Sequence, residues 1–326
     1  MLRSLFIREK ETDMIPLLIV ILVVIALSAF ITVYTYVRIF YSPKRYDYTV
    51  DIKELENGDE KDKLLYSLAV DFAAAPFEEV RISSFDKTEL YGRLYYNIKG
   101  APICIQFHGY RSDAMRDFSG GFKTVIDRGH NTLVVDQRAH GKSGDNILSG
   151  GVRESLDCKE WIKYVIDRFG NDTEIFLAGV SMGAATVLMA LEHDLPGNVK
   201  GVFADCGYSS IEKIIKNACK KEGFPPKLVY PFVRLGSLLF SRFDPSSKSA
   251  ADTISKSDIP VLIIHGDADT VVPCEMAYEI YEGSGKREGV FLEIFPGAAH
   301  GYSYLTDPER YKKAADDFAK YCLERK

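Results

Sequence analysis

The 326-residue chain has an ordinary globular composition, 46% hydrophobic and 27% charged, with a formal net charge of −5. These values exclude a disordered or fibrous chain, and the sequence shows no basic stripe of the kind that binds nucleic acid. The length fits one large α/β domain with appendages. Six cysteines are scattered without a Cys-x-x-Cys pair, so the pattern predicts no metal site and favours a reducing compartment.

Residues 14–37 form an uncharged apolar run behind a short charged flank, residues 1–13. As a helix rising ~1.5 Å per residue, the run would span about 36 Å, enough to cross a hydrocarbon core of about 30 Å. We therefore expect a single-pass membrane anchor. A cleaved signal peptide, with its cleavage site near residues 26–28, is the alternative, although the apolar run continues well past that point.

The side of the membrane stays open at this stage. Three basic residues precede the run and three follow it closely, so the positive-inside rule gives no orientation. The dispersed cysteines slightly favour a cytoplasmic catalytic domain. The segment 38–76 is predicted to contain a polar juxtamembrane tether, residues 38–63, and an amphipathic helix, residues 61–75, which Pro76 stops.

From residue 77 to the C-terminus, short apolar runs alternate with helical patterns. Residues 79–85 and 89–96 alternate apolar and polar side chains, as an antiparallel hairpin at a sheet edge does. Six further runs suit strands that are buried on both faces: 101–107, 131–135, 174–178, 199–204, 260–264 and 290–295. Helices are predicted at 115–128, 151–169, 184–193, 274–282 and 307–324. This alternation predicts an α/β fold with a mostly parallel, eight-stranded sheet.

Residues 208–257 break this alternation, because they contain no clear strand but an apolar helical stretch at 228–240. An insertion that follows the carboxyl end of a strand lies near the ligand crevice of such a sheet. We therefore predict a helical cap with an apolar inner face. A helical elaboration that packs away from the site is the alternative.

A Gly-x-Ser-x-Gly pentapeptide at 179–183 lies between a strand-like run and a helix of small residues. A tight strand-to-helix turn leaves room only for very small residues two positions on either side of the serine, and Gly179 and Gly183 meet that demand. The turn would expose the Ser181 hydroxyl beside the amide N–H groups of the following helix. Ser181 is therefore the candidate nucleophile, and a surface serine in an ordinary glycine-rich turn is the alternative.

Five motifs at predicted strand ends together resemble one family. They are His-Gly-Tyr-Arg-Ser-Asp at 108–113, Asp-Gln-Arg-Ala-His-Gly-Lys-Ser at 136–143, the pentapeptide at 179–183, His-Gly-Asp-Ala-Asp-Thr-Val-Val-Pro at 265–273 and Ala-His-Gly at 299–301. In this order they resemble the α/β-hydrolases, in particular the serine aminopeptidase-like and lysophospholipase-like branches. The resemblance covers residues 77–326 and says nothing about the anchor. The sequence departs from the family's pattern at residues 137–139, in a loop that is usually structural.

The resemblance implies a catalytic triad, because a serine hydroxyl needs a base and the base needs a third group to fix its tautomer. His300 follows the serine and the acid in the chain order of this fold, so it is the expected base. Asp269 matches the Asp-x-x-Val-Pro pattern and is the expected acid. Asp205, directly after the sixth strand, is the rival, since some relatives carry their acid there. Asp267 is expected to tie the turn.

The same resemblance implies an oxyanion hole formed by the backbone N–H groups of Tyr110 and Met182. His108 and His265, in His-Gly turns, are expected to brace loops. We therefore predict a membrane-anchored serine hydrolase that cleaves an ester, thioester or amide through an acyl-serine intermediate, with no cofactor. The anchor and the apolar insertion favour a small-molecule or lipid-like acyl substrate. An acyltransferase that uses the same acyl-serine and a non-catalytic binding protein on a hydrolase scaffold are the alternatives.

Overall fold

The computed structural model describes residues 2–43 and 55–325. Within these residues, eight strands form one sheet in the order β1-β2-β4-β3-β5-β6-β7-β8. The strands are β1 (Glu78–Ser83), β2 (Glu89–Tyr95), β3 (Ile103–Phe107), β4 (Asn131–Asp136), β5 (Ile175–Val180), β6 (Val199–Asp205), β7 (Val261–Gly266) and β8 (Val290–Phe295). β2 pairs antiparallel with β1 and β4, and the other neighbouring pairs are parallel. The predicted edge hairpin and mostly parallel sheet are confirmed.

Helices connect and cover these strands. They are α1 (Leu2–Phe40), α2 (Glu60–Ala74), α3 (Ala114–Asp127), α4 (Glu154–Phe169), α5 (Met182–Ala190), α6 (Ile211–Lys221), α7 (Pro226–Ser241), α8 (Ala250–Thr253), α9 (Glu275–Gly283), α10 (Ser303–Thr306) and α11 (Pro308–Glu324). The predicted helices between strands each have a counterpart here. Their ends differ from the predicted ends by a few residues, since helix ends depend on local capping.

Strands β3, β4 and β7 are buried along their whole length, because helices cover both faces of the sheet. On one face, Trp161 and Val165 of α4 join the main apolar core. On the other, Phe318 of α11 packs edge-on against Phe203, with 4.9 Å between the ring centroids. Burying each such side chain contributes about 1.5–3 kcal/mol. The parallel strands end at the same edge of the sheet, and the loops that follow them carry the predicted site.

Helix α1 is longer than the predicted anchor, because it also includes the charged flank and continues to Phe40. Its stretch Ile15–Phe40 is long and apolar enough to cross a membrane, and its most apolar 18 residues have a mean hydropathy of 3.0, although signal sequences share these properties. The buried side chains Thr32, Tyr36 and Phe40 fall on one side of its last turns. The end of α1 therefore packs against the rest of the protein.

The first residues of the predicted tether contact the catalytic domain, which the sequence did not predict. Phe40 packs edge-on against Phe243, with 5.1 Å between the rings, and the Ser42 N–H donates to the Asn146 carbonyl oxygen over 2.8 Å. Because an aromatic ring anchors it, the chain contacts the domain immediately after α1. Residues 44–54 of the predicted tether lie outside the described residues.

The amphipathic helix predicted at 61–75 is present as α2. A capping box begins it: the Asp59 side chain accepts the Asp62 N–H, and the Asp62 side chain accepts the Asp59 N–H. Leu65 and Phe72 are buried on its inner side. The amphipathic pattern therefore covers part of the core.

Residues 208–257 contain α6, α7 and α8, and the described sheet takes no strand from them. Some of their apolar side chains are buried and others are exposed, and the buried ones do not face the site as the predicted cap would. Val233 and Tyr230 of α7 belong to a cluster that also includes Tyr36 of α1 and Met189 of α5. The insertion therefore covers α5 and the end of α1, and other segments line the cavity described below.

Candidate active site

The turn between β5 and α5 has the geometry that the pentapeptide predicts. Ser181 has a positive φ of 55°, a region that costs energy for a residue with a side chain. Its N–H donates to the Asp205 carbonyl oxygen over 2.8 Å. A β-carbon on Gly183 would collide with the Phe107 carbonyl oxygen, and one on Gly179 would collide with the backbone of Gly183. Both glycines are therefore required for this turn.

The imidazole of His300 lies between a hydroxyl and a carboxylate. Its Nε2 is 3.0 Å from Ser181 Oγ, and its Nδ1 is 2.6 Å from Asp269 Oδ2. The other carboxylate oxygen, Oδ1, accepts the N–H groups of Val271 at 2.7 Å and Val272 at 2.9 Å. With its proton on Nδ1, His300 donates to Asp269 and presents the Nε2 lone pair to the serine hydroxyl.

The environment keeps Asp269 ionised. Burial alone would raise its pKa, but hydrogen bonds to His265 and His300 and the Val272 N–H hold the pKa of Asp269 well below its ordinary value. His265 Nε2 lies 2.9 Å from the Val272 carbonyl oxygen and 3.3 Å from Asp269 Oδ2. His265 thus braces the loop as expected, and it also contacts the carboxylate, which the sequence did not predict.

The other two carboxylates near this edge have different partners. Asp205 is buried, and burial raises its pKa to about 6 although Tyr311 hydrogen-bonds to it. Asp267 accepts the Gly297 N–H over 2.6 Å, so it links the loop after β7 to the loop after β8, whereas the prediction had it tie its own turn. The structure therefore brings Asp269, rather than Asp205, to His300.

The loop after β3 passes directly beside the nucleophile. A β-carbon on Gly109 would lie 3.3 Å from Ser181 Cβ, so only glycine fits there comfortably. The Gly109 N–H donates to Asp117 Oδ2 over 2.6 Å, which holds the loop and places Tyr110 next to the site. Met182 is the first residue of α5, so its N–H has no acceptor in the helix ladder. Both predicted oxyanion residues therefore adjoin the serine in space.

Two buried histidines support this loop. His108 and His140 each donate from Nδ1 to a backbone oxygen and accept a backbone N–H at Nε2, from Gln137 at 3.0 Å and Arg111 at 2.9 Å respectively. Burial lowers the pKa of His108 to about 4 and that of His140 to about 3. Both rings are therefore neutral at pH 7, as accepting an N–H requires. The His140 contact was missed, because nothing local in the sequence links positions 111 and 140.

The loop at 137–139, where the sequence departs from the family pattern, is structural. The fully buried guanidinium of Arg138 donates to both oxygens of Asp157 at 2.7 Å. It also donates to Asp86 at 3.0 Å and Asp145 at 3.2 Å. A buried cation held by several carboxylates stabilises the loop only while these pairs stay complete.

A cavity of about 290 Å³ adjoins the serine, and its lining includes Tyr110, Ser181, Val271 and His300. Among the described residues, Cys206, Asp269 and His300 have potential metal-binding atoms within 4.8 Å of one another. Burial raises the pKa of the Cys206 thiol well above its ordinary value. The arrangement therefore suits proton transfer between Ser181, His300 and Asp269.

Comparison with known protein families agrees with this architecture. The alpha/beta hydrolase fold family matches residues 108–241, and the dienelactone hydrolase family matches residues 240–321. The chain has the α/β-hydrolase fold. The first match contains Ser181, and the second contains Asp269 and His300. The narrower resemblance to the serine aminopeptidase-like branch stays a prediction.

Individual relatives support the same assignment. Uncharacterized protein YqkD of Bacillus subtilis is 25% identical over 251 residues, covering 74% of this chain and 80% of that protein. The esterase Pf2001 of Pyrococcus furiosus is 25% identical in sequence, with a TM-score of 0.66 over 86% of this chain and 98% of its own. Est1E of Butyrivibrio proteoclasticus, 20% identical with a TM-score of 0.56 over 76% of this chain and 99% of its own, shares the fold.

Proposed function

We propose that this α/β-hydrolase is a membrane-anchored serine hydrolase that cleaves an ester, thioester or amide through an acyl-serine intermediate. The observation that carries the proposal is the contact of one imidazole with both a hydroxyl and a carboxylate, His300 with Ser181 at 3.0 Å and with Asp269 at 2.6 Å. A serine held in a strained turn, with a base already in contact, is the arrangement that nucleophilic catalysis requires.

The reaction follows from these contacts. Ser181 Oγ attacks the carbonyl carbon of the substrate while His300 Nε2 takes the hydroxyl proton, and Asp269 stabilises the resulting imidazolium. The N–H groups of Tyr110 and Met182 stabilise the negative charge on the substrate oxygen. His300 then returns the proton to the leaving group, and a water molecule activated by the same base releases the acid from the serine.

An ester is the first substrate class to test. Pf2001, which is similar over most of this chain, is described as an esterase, and Est1E has been captured with bound ferulic acid. Neither fact transfers a substrate to this chain, but the description of Pf2001 as an esterase favours ester cleavage over amide cleavage as the starting point. The alternative of acyl transfer uses the same acyl-serine and differs only in the group that accepts the acyl chain.

Membrane anchoring is supported by the apolar side chains of α1, which are exposed over the stretch that precedes Thr32. Apolar surface of that extent is unfavourable in water. The six cysteines are all free, and five of them are buried, which favours a cytoplasmic position for the catalytic domain. Protease protection of the domain in sealed right-side-out membranes would test this orientation, and digestion from outside would contradict it.

The catalytic proposal is tested by labelling the full-length protein with a fluorophosphonate probe. We expect Ser181 to be labelled, Ser181→Ala to abolish the label, and Ser255→Ala, at an exposed serine, to leave it unchanged. A folded protein that takes no label, or a label that survives Ser181→Ala, would favour the non-catalytic alternative. Product analysis of p-nitrophenyl esters with and without added alcohols and amines separates hydrolysis from acyl transfer.

A further inference from the structure

The last turns of α1 and the second half of α7 pack against each other, and both expose apolar side chains, which together we call the α1–α7 face. Its members are between 43% and 62% exposed: Val33 and Val37 of α1, and Leu235, Leu238, Leu239 and Phe240 of α7. We propose that the α1–α7 face is immersed in the acyl region of a lipid bilayer. The catalytic loops then lie at the membrane surface.

The two helices lie against each other along this face. A β-carbon on Gly236 would be 2.8 Å from Tyr36 Cβ and 3.1 Å from the Thr32 carbonyl oxygen, so the helix backbones approach closely there. The rings of Tyr36 and Phe240 are 5.0 Å apart. The outer side chains of α7 therefore lie at the same level as the exposed side chains of the last turns of α1.

The length of α1 indicates where the lipid ends. If α7 were outside the bilayer, lipid could surround only the part of α1 that precedes Thr32. The uncharged residues left, 14–31, would span roughly 27 Å at ~1.5 Å per residue, less than a hydrocarbon core of about 30 Å, and any tilt would shorten the span further. Immersing the α1–α7 face makes the whole uncharged run 14–37 available, which spans about 36 Å.

The charges on α7 fit the same arrangement. Residues 235–241 carry no charge, whereas Lys227 near the start of the helix and Arg242 just after its end are exposed. Arg234, beside the face, pairs with Asp244 over 2.6 Å. Cations at the margins of an apolar surface suit the headgroup layer, where they can contact lipid phosphates.

The loop that forms one side of the active site is attached to the end of α1. The Tyr110 hydroxyl donates to the Ile39 carbonyl oxygen over 2.8 Å, and the Arg111 guanidinium donates to two further carbonyl oxygens near that helix end, each at 3.0 Å. These bonds occupy carbonyls that a helix C-terminus leaves without partners. The position of this loop is therefore fixed relative to the membrane.

The position of this loop at the membrane also indicates a class of substrate. This part of the inference rests on the proposed function. Tyr110 and Val271, which line the cavity at the serine, are 41% and 52% exposed. With the α1–α7 face in lipid, this entrance lies beside the bilayer surface. The substrate is then an acyl ester of a membrane-resident amphiphile, which reaches Ser181 without passing through bulk water.

The membrane position is tested by measuring depth in the full-length protein reconstituted into phosphatidylcholine–phosphatidylglycerol vesicles. An environment-sensitive NBD dye is attached to Leu239→Cys or Leu238→Cys, with Cys274, the partly exposed native cysteine, replaced by serine. The control site is Leu323→Cys on α11, where the native leucine is 38% exposed. Each variant is first checked for a cooperative thermal transition like that of the unlabelled protein.

We expect lipids brominated on their acyl chains to quench the dye at 238 and 239, and to leave the dye at 323 unquenched. Equal quenching at all three positions, or none at 238 and 239, would overturn the proposal. The quenching measurement requires no catalysis, so its result does not depend on whether the proposed function is correct.

The substrate class is tested by comparing Leu239→Lys with Leu323→Lys on two esters. Leu239→Lys should lower the turnover of a long-chain p-nitrophenyl ester held in vesicles about fivefold, because a lysine in the lipid-facing surface is unfavourable. It should leave the turnover of soluble p-nitrophenyl acetate unchanged, as should Leu323→Lys for both esters. Equal losses on both esters, or no loss on either, would overturn the substrate class. A wild-type protein that cleaves neither ester would instead count against the proposed function.

Discussion

Replacing Asp269 by asparagine changes one non-hydrogen atom of the proposed active site and tests the roles of Ser181, His300 and Asp269 together. In the native protein Oδ1 accepts the N–H groups of Val271 and Val272, at 2.7 and 2.9 Å, and Oδ2 lies 2.6 Å from His300 Nδ1. An asparagine side chain is the same size, so it can occupy this position in two orientations. The energetic difference between them decides which tautomer His300 adopts.

In the first orientation the amide oxygen keeps both backbone N–H groups, and its NH₂ group donates to His300 Nδ1. The histidine proton then moves to Nε2, which can no longer accept the proton of Ser181. In the second orientation the NH₂ group faces the two N–H groups of Val271 and Val272 and leaves them without acceptors. Each buried donor left in this way costs about 1–3 kcal/mol, or about 2–6 kcal/mol for the pair, so the first orientation prevails.

The expected result is a loss of about 10³–10⁴-fold in kcat/KM, equivalent to about 4–5.5 kcal/mol of transition-state stabilisation. Hydrolysis of a short p-nitrophenyl ester, followed by absorbance, measures the loss, and thermal unfolding checks that the fold is intact. Asp267→Asn is the matched control, because asparagine can still accept the Gly297 N–H, and it should stay within about threefold of the wild type.

Substituting Asp205, the other candidate acid, gives the result that could refute this assignment. Asp205→Asn should retain most activity, because Asp205 hydrogen-bonds to Tyr311 while His300 bonds to Asp269. If Asp269→Asn stayed within about tenfold of the wild type while Asp205→Asn lost more, the assignment of the acid would be wrong.

Three further substitutions test the surroundings of the site. Gly183→Ala places a β-carbon against the Phe107 carbonyl oxygen and should cost about 3 kcal/mol or more, whereas Gly197→Ala, with no atom within 4 Å of the new carbon, should stay within about 0.5 kcal/mol; equal urea midpoints would contradict this. Arg138→Met leaves the buried Asp157 and the partly exposed Asp86 and Asp145 without this cation and should cost about 3–5 kcal/mol in the same urea assay, so an unchanged midpoint would show that the ion pairs are dispensable. His140→Gln tests the buried neutral ring. Because the pKa of His140 in the folded protein is about 3, below its ordinary value, its contribution to stability is present above pH 6.5 and is lost as the pH falls. The free energy of unfolding of the wild type should therefore fall relative to that of His140→Gln by up to about 1.4 kcal/mol per pH unit between pH 6 and 4, and a gap independent of pH would show that the ring titrates normally.

The elements of the fold were predictable because their signals are local. Strands buried on both faces require short continuous apolar runs, and helices between them require a period of 3.6 residues; both patterns are visible within a window of a few turns. The Ser181 turn is equally local, since the space that demands Gly179 and Gly183 is created by the turn itself and by the adjacent strand. The choice of Asp269 and His300 depended on motifs at strand ends, which a parallel sheet gathers at one edge.

Contacts between distant parts of the chain were decided only by the tertiary structure. A motif favoured Asp269 over Asp205, but the distance of each carboxylate from the His300 ring depends on where two loops place it, and no local pattern encodes that distance. In the same way, 119 residues separate Ser181 from the base that contacts it, and the attachment of Tyr110 to the end of α1 joins residues 71 positions apart. The apolar face of α7 was evident in the sequence, but its partner was not, because many surfaces can bury the same leucines and packing selects one of them.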